Sequence, residues 1–266
     1  MNKPSVLVTG DCLEALLLIP ENSIDLVFTS PPYEAARSYG VDFSLKGQDW
    51  VDWAVERYME CVRVCRGLVC WVVEGQTSKF RWSATPALLM ADLHRRGVKL
   101  RKPPIFERRG IMGSGGPDWW RNDYEFVVCS SKGRLPWSDN VATGSPPKYK
   151  PGGNPSHQTR DGRVKDRQYK PPAKANPGNI VHCKVGGGHM GSKLAHENEA
   201  PFPESLVEPF IKCYCPPGGI VLDPFCGSGT TLAVASRLGR DSIGIDIRES
   251  QVKLSTRRVE GDNEVD

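Results

Sequence analysis

Apolar positions along the chain repeat at two spacings. A short apolar run, Val6-Leu7-Val8, predicts a strand that ends at Thr9-Gly10-Asp11. Helical spacing over 13–18 follows, with Asp11 placed to cap it. Residues 24–29 are apolar enough for a strand buried on both faces, and this strand runs straight into Ser30-Pro31-Pro32-Tyr33. The pattern then predicts a helix over 50–65, a central strand over 67–73 and a helix over 85–96 closed by Gly97. Residues 124–129 alternate less clearly but are β-prone. Near the C-terminus the rhythm gives a helix over 203–215, a strand over 219–223, a helix over 231–238, a strand over 242–246 and a helix over 249–258. Strands alternating with helices predict an α/β fold with a parallel sheet.

Residues 134–193 break this rhythm. They hold 17 prolines and glycines in 60 positions, too many for a regular α/β layer. They also hold 11 lysines and arginines against 3 aspartates and glutamates, while the rest of the chain holds 24 against 28. The whole positive excess behind the net charge of +4 therefore lies in this segment. It divides the chain into an N-terminal part, 1–133, an irregular insertion, 134–193, a C-terminal part, 194–260, and an acidic tail, 261–266.

The totals exclude several classes. At 39% hydrophobic and 25% charged residues, the composition is that of a soluble globular protein. No apolar run is long enough for a membrane span, and the first residues show no export signal. Nine cysteines are present, but Cys61, Cys65 and Cys70 and the pair Cys213 and Cys215 lack metal-ligand spacing. No metal is expected, and reduced, buried thiols in a cytoplasm are the simpler reading.

Two short runs carry the chemistry. Asp223-Pro224-Phe225-Cys226-Gly227-Ser228-Gly229-Thr230 joins a strand to a helix, and Gly227 and Gly229 allow the backbone to approach a ligand closely. It lacks the lysine of a phosphate-binding P-loop and a strict GxGxxG, which disfavours a triphosphate. Asp246, 23 residues after Asp223, ends the next strand and suits a carboxylate for ribose hydroxyls, or a backbone cap. Ser30-Pro31-Pro32-Tyr33 sits at the carboxyl end of a strand, where open α/β sheets bind ligands. Pro-Pro removes two N–H donors and fixes the chain. A planar base can stack on Tyr33 while its amino group donates to the Pro31 carbonyl and the Ser30 oxygen. Two such acceptors favour a pyramidal nitrogen whose lone pair is free to attack.

With both runs in view, the chain resembles the S-adenosylmethionine-dependent DNA amino-methyltransferases, in the circularly permuted order called the β class. The resemblance spans nearly the whole chain. Gly10-Asp11-Cys12-Leu13 through Tyr33 is similar to the segment holding cofactor and catalytic turn. Arg121-Asn122-Asp123-Tyr124-Glu125 resembles the strand bordering the target pocket, and 196–206 resembles the helix that opens the cofactor region. It implies a Rossmann-like, mixed and mostly parallel sheet with helices on both faces, and S-adenosyl-L-methionine as cofactor. Asp11, Phe202, Asp223, Phe225, Gly227, Gly229, Thr230 and Asp246 would line the cofactor, and Ser30, Pro31, Pro32 and Tyr33 the target base. Transfer is direct, so Cys226 is expected to pack under the turn and not to act as a nucleophile.

By position the insertion matches the family's target-recognition region. Lys148, Lys150, Arg160, Arg163, Lys165, Arg167 and Lys170, with Lys174, interleave with Tyr149, His157, Gln158 and Tyr169. That mixture suits phosphate and base-edge contacts. Residues 110–120 form a second candidate DNA-facing loop, although Trp119 and Trp120 fit a core equally well. The resemblance thus implies duplex DNA as partner and a flipped base. It allows a homodimer and a cognate restriction endonuclease, in a bacterial, archaeal or phage-encoded setting. Serine at the head of the four-residue turn favours cytosine N4 over adenine N6, since adenine-directed relatives often carry Asp or Asn there. A catalytically silent DNA-binding relative, or a methyltransferase acting on RNA or a small molecule, is the competing reading.

Overall fold

The computed structural model describes residues 4–34, 43–110, 115–148, 170, 172–197 and 200–261. In chain order its elements begin with β1 (Ser5–Thr9), α1 (Cys12–Leu18), β2 (Ile24–Thr29), α2 (Gly47–Val64) and β3 (Cys65–Val73). A small hairpin of β4 (Thr77–Ser78) and β5 (Arg81–Trp82) precedes α3 (Thr85–Arg95), β6 (Leu100–Arg101), β7 (Ile105–Arg109) and β8 (Tyr124–Ser130). The chain continues with β9 (Ile180–Lys184), α4 (Glu204–Tyr214), β10 (Ile220–Asp223), α5 (Thr230–Arg237), β11 (Asp241–Asp246) and α6 (Glu249–Glu260).

The main sheet runs β1-β11-β10-β2-β3-β8-β7-β9, with β6 also paired to β8. Strands β1, β11, β10, β2 and β3 are parallel neighbours, and β8 runs antiparallel to both β3 and β7. The sheet is therefore mixed and mostly parallel, as expected. Its order interleaves the chain's ends: β10 and β11, from the C-terminal part, lie between β1 and β2.

Alternating side chains of the central strands feed two cores. Ile24 and Val27 of β2, with Val69, Trp71 and Val73 of β3, pack against Leu16 of α1, Trp50, Tyr58 and Cys61 of α2 and Leu89 and Leu93 of α3. Leu26 and Phe28 of β2, with Cys70 and Val72 of β3, pack against Leu206, Phe210 and Ile211 of α4 and Val234 and Ala235 of α5. Burial on both faces explains why β2 and β3 read as continuous apolar runs.

Five strands were not legible: the two-residue β4, β5 and β6, and the longer β7 and β9. β7 carries Glu107, Arg108 and Arg109, and β9, Ile-Val-His-Cys-Lys, has only Cys183 buried. β9 pairs in parallel with β7, so the last part of the 134–193 segment belongs to the sheet and is not irregular. Trp119 and Trp120, which fitted a core equally well, are 45% and 96% exposed. All nine cysteines are buried and unpaired as disulfides, and burial pushes the Cys12, Cys65 and Cys215 thiols up to about 12. Such thiols are inert packing groups.

Candidate active site

Strands β10 and β2 are parallel neighbours, with Val221 opposite Leu26 and Leu222 opposite Val27. Their carboxyl ends consequently bring the glycine turn and Ser30-Pro31-Pro32-Tyr33 side by side, although nearly 200 residues of chain separate them. A buried bond joins the two: Thr29 Oγ1 donates to Asp223 Oδ1 at 2.5 Å. Asp223 also accepts from the backbone N–H of Phe225 at 3.1 Å. Burial raises its carboxyl from the ordinary 3.8 to about 6, against the lowering effect of these donors.

A cavity of about 660 Å³ opens over both turns. At one end it is lined by Asp11, Phe225, Cys226, Gly227, Thr230 and Asp246, with Phe202 and Pro203 along the side. At the other end lie Ser30, Pro31, Pro32, Tyr33, Glu74, Arg108 and Glu125. Ten of the twelve catalytic and cofactor positions expected from the sequence thus share one cavity. Asp223 and Gly229 do not line it. Asp223 is 1% exposed and fastens the two strands. Gly229 has φ +75°, and a Cβ there would lie 2.8 Å from Ser255 Oγ, so it shapes the turn against α6.

Asp246 holds the turn from the other side. Its Oδ2 accepts from Gly227 N at 3.0 Å and its Oδ1 from Arg248 N at 2.9 Å. Asp246 does not cap α6, whose N-cap is Arg248, but it braces both neighbouring turns, and the remaining carboxylate lone pairs at the cavity wall can still accept from a diol. Asp11 caps α1 through Leu13 N at 2.7 Å and accepts from Arg57 at 3.3 Å. Arg57 in turn lies 4.5 Å over the Trp53 ring, and Trp53 packs against Phe225 at 5.7 Å. Phe43, Trp53, Phe202 and Phe225 give this end an aromatic wall for a planar base. Polar acceptors beside such a wall, in this volume, fit a nucleoside cofactor.

Three contacts hold the catalytic turn. Trp50 Nε1 donates to the Pro32 carbonyl at 2.9 Å. Glu34, the next residue after Tyr33, accepts from Gly47 N at 2.9 Å and Gln76 N at 3.4 Å. The Tyr33 hydroxyl donates to Glu125 Oε2 at 2.7 Å, and Arg108 pairs with Glu125 Oε1 at 3.0 Å. Ser30 Oγ lies 3.3 Å from both the Tyr33 hydroxyl and the Val72 carbonyl. Its one proton can serve either acceptor, and Ser30 itself lines the cavity.

Glu74, Arg108 and the pairing of Glu125 escaped the sequence reading, although Glu125 closes the run matched to the pocket border. Glu74 sits just past β3 and is 8% exposed. Its Oε1 accepts from Gly75 N at 2.8 Å and Trp82 Nε1 at 2.9 Å, while Oε2 is buried without a partner. Burial raises both Glu74 and Glu125 above the usual carboxylate range. A second buried network braces the glycine turn. Arg258 of α6 pairs with Glu204 of α4 at 2.8 Å and donates to Thr230 Oγ1 at 2.8 Å. Burial likewise lifts the Cys226 thiol well above its ordinary range, in keeping with a packing role.

Of the basic residues assigned to DNA, Lys148 and Lys170 are exposed, as is Lys174. Lys150, Arg160, Arg163, Lys165 and Arg167 lie outside the described residues.

The N6/N4 DNA methylase family model matches residues 24–257. The chain belongs to that family. Its members use S-adenosyl-L-methionine as methyl donor, and the permuted motif order identifies this methylase as β class. Among similar proteins, the DNA adenine methyltransferase YhdJ of Escherichia coli is 28% identical over 97% of this chain and 84% of its own. The type II methyltransferase M.ScaI of Streptomyces caespitosus is 27% identical over 97% and 82%. Among solved structures, the cytosine-N4-specific PvuII DNA methyltransferase superposes with a TM-score of 0.72 at 22% identity, covering 97% of this chain and 87% of that one. A DNA modification methylase of Thermus thermophilus, TTHA0409, solved with S-adenosyl-L-methionine, gives 0.63 at 22% identity over 97% and 93%. Both confirm the methylase fold.

Proposed function

We propose that this methylase transfers a methyl group from S-adenosyl-L-methionine to the N4 amino group of a cytosine flipped out of double-stranded DNA. The observation that carries the reading is the single cavity with a nucleoside-type end and a Ser30-Pro31-Pro32-Tyr33 end, joined through the Thr29–Asp223 bond. When bound, the cofactor supplies an electrophilic methyl on a sulfonium. Ser30 Oγ and the Pro31 carbonyl accept from the target amino group and orient its lone pair; Tyr33, held by Glu125, stacks on the ring. Glu74 brings a buried Oε2 without a partner to the cavity wall, and burial shifts its carboxyl toward the protonated form, which suits a hydrogen bond to the ring nitrogen beside the amino group. That nitrogen is an acceptor in both cytosine and adenine.

Serine in place of an acid or amide at position 30 supports cytosine, and a PvuII-like fold agrees with it. Adenine N6 is the second reading, favoured by the likeness to YhdJ, which is named an adenine enzyme. In either case Asp11, Phe202, Phe225, Gly227, Thr230 and Asp246 bind the cofactor, with Asp223 and Gly229 shaping its turn. Residues 134–179 serve as the target-recognition segment, with Lys148, Lys150, Arg160, Arg163, Lys165, Arg167 and Lys170 on phosphates or base edges. A restriction endonuclease partner and a homodimer remain part of this proposal. Among the described residues no helix is long and apolar enough to cross a membrane. Incubation with tritiated cofactor should move label into plasmid DNA; label that enters RNA but never DNA across varied salt would overturn the reading.

A further inference from the structure

Two exposed aromatic side chains meet from separate loops whose bases line the cavity. Phe80, 77% exposed, tips the β4–β5 hairpin, and Trp119, 45% exposed, sits in the loop before β8. Their rings pack edge to face, 5.3 Å apart at 84°. Both loops are rooted in the cavity wall. Glu74 and Gln76 line the cavity just before the hairpin, and Asn122 lines it just after Trp119. Trp82, at the hairpin's end, donates to Glu74. The Asn122 carbonyl accepts from Arg108 at 3.0 Å.

The hairpin tip is strained to hold this shape. Lys79 and Phe80 have φ of 48° and 62°, a left-handed pair that two-residue hairpin turns usually fill with Asn-Gly. Non-glycine residues held in that region point to a functional constraint, because a glycine would relieve the strain. Lys79 and Arg81 flank Phe80 and are exposed, so the aromatic edge is framed by positive charge. A π-face with cations on either side matches a base stack with its phosphates, and suits neither an acidic peptide nor an apolar partner surface.

We propose that Phe80, buttressed by Trp119, is a wedge that enters duplex DNA beside the target pair and stacks on the bases exposed when the target leaves the helix. The proposal rests on the DNA methylase reading and adds the element that stabilises the opened duplex. The wedge offsets part of the unstacking cost of flipping, so it matters when the target is fully paired and matters little when pairing is already lost.

The test uses the full-length methylase and an oligonucleotide carrying a site that the wild type methylates in plasmid DNA. Phe80→Ala should lower kcat/KM on the paired duplex by about tenfold to a hundredfold, in line with the loss of one stacked base. On the same duplex with an abasic position opposite the target, the variant should recover to near the wild-type rate, and Phe80→Trp should retain activity on both. S-adenosylhomocysteine affinity should be unchanged in each variant. Equal activity of wild type and a Phe80→Ala, Trp119→Ala double variant on paired DNA overturns the wedge while leaving the methylase reading intact. A loss that persists on the abasic duplex also overturns it, since the role is then structural. A wild type that methylates no DNA removes both readings together.

Discussion

Ser30 and Asp223 occupy the ends of neighbouring strands, yet their environments give them different work. Ser30 lines the cavity and lies within reach of the Tyr33 hydroxyl and the Val72 carbonyl, so Ser30→Ala removes an acceptor for the substrate together with these contacts at the base end, away from the cofactor end. Turnover should fall by about tenfold or more while S-adenosylhomocysteine affinity stays within error, read by calorimetry beside single-turnover rates. Asp223 is buried and holds the Thr29 hydroxyl. Its native pKa of about 6 lies above the ordinary 3.8, so the folded state binds the proton more tightly than the unfolded chain. Stability contributed by protonation is thus present at low pH and is lost as pH rises to about 6, by roughly 3 kcal/mol at 1.36 kcal/mol per unit. Asp223→Asn keeps an oxygen for Thr29 and Phe225 and removes the charge. Denaturant titrations should show a variant at least as stable as wild type at neutral pH, without the slope between about pH 4 and about pH 6. A variant that keeps the slope would assign it to other groups.

At the level of elements, what the sequence revealed depended on burial. β2, β3 and β10 were legible because both faces are covered and their apolar runs are unbroken. α1 and its Asp11 cap were legible from local chemistry alone. β9, at the sheet edge, and β7 beside it were hidden because they carry charged residues and bury few side chains. The same reason hid Glu74 and Arg108. A charged residue near a strand end carries no periodic signal, and its meaning comes from partners set by the sheet order. The Glu204–Arg258 pair is a case in point, since it joins α4 to α6 across 54 residues behind the glycine turn. Arg258 is 5% exposed, and its loss would leave Glu204 with only the more exposed Arg237 as ionic partner and strip Thr230 of its donor. Arg258→Ala should destabilise the fold by about 1.5–3 kcal/mol and weaken cofactor binding, measured by urea unfolding and calorimetry. A change under about 1 kcal/mol would show that water replaces the pair.

Across the whole molecule, the permuted order places the catalytic turn first, the cofactor turn last and the basic segment between them. Folding interleaves the ends, with β10 and β11 between β1 and β2, so that the two turns face one cavity. The positive excess of 134–193 then lies in the stretch between the two functional turns. If Lys165 and Arg167 neutralise phosphates, replacing both by Ala should weaken DNA binding and reduce the slope of log K against log salt by about 2. An unchanged slope would remove these two from the interface.

The base itself is decided by digesting DNA modified by the purified methylase to nucleosides and analysing them by mass spectrometry. A Ser30 pocket directed at cytosine predicts N4-methylcytosine, formed more slowly in DNA treated for the same time with Ser30→Ala. N6-methyladenine in its place, with no N4-methylcytosine, would contradict the cytosine assignment.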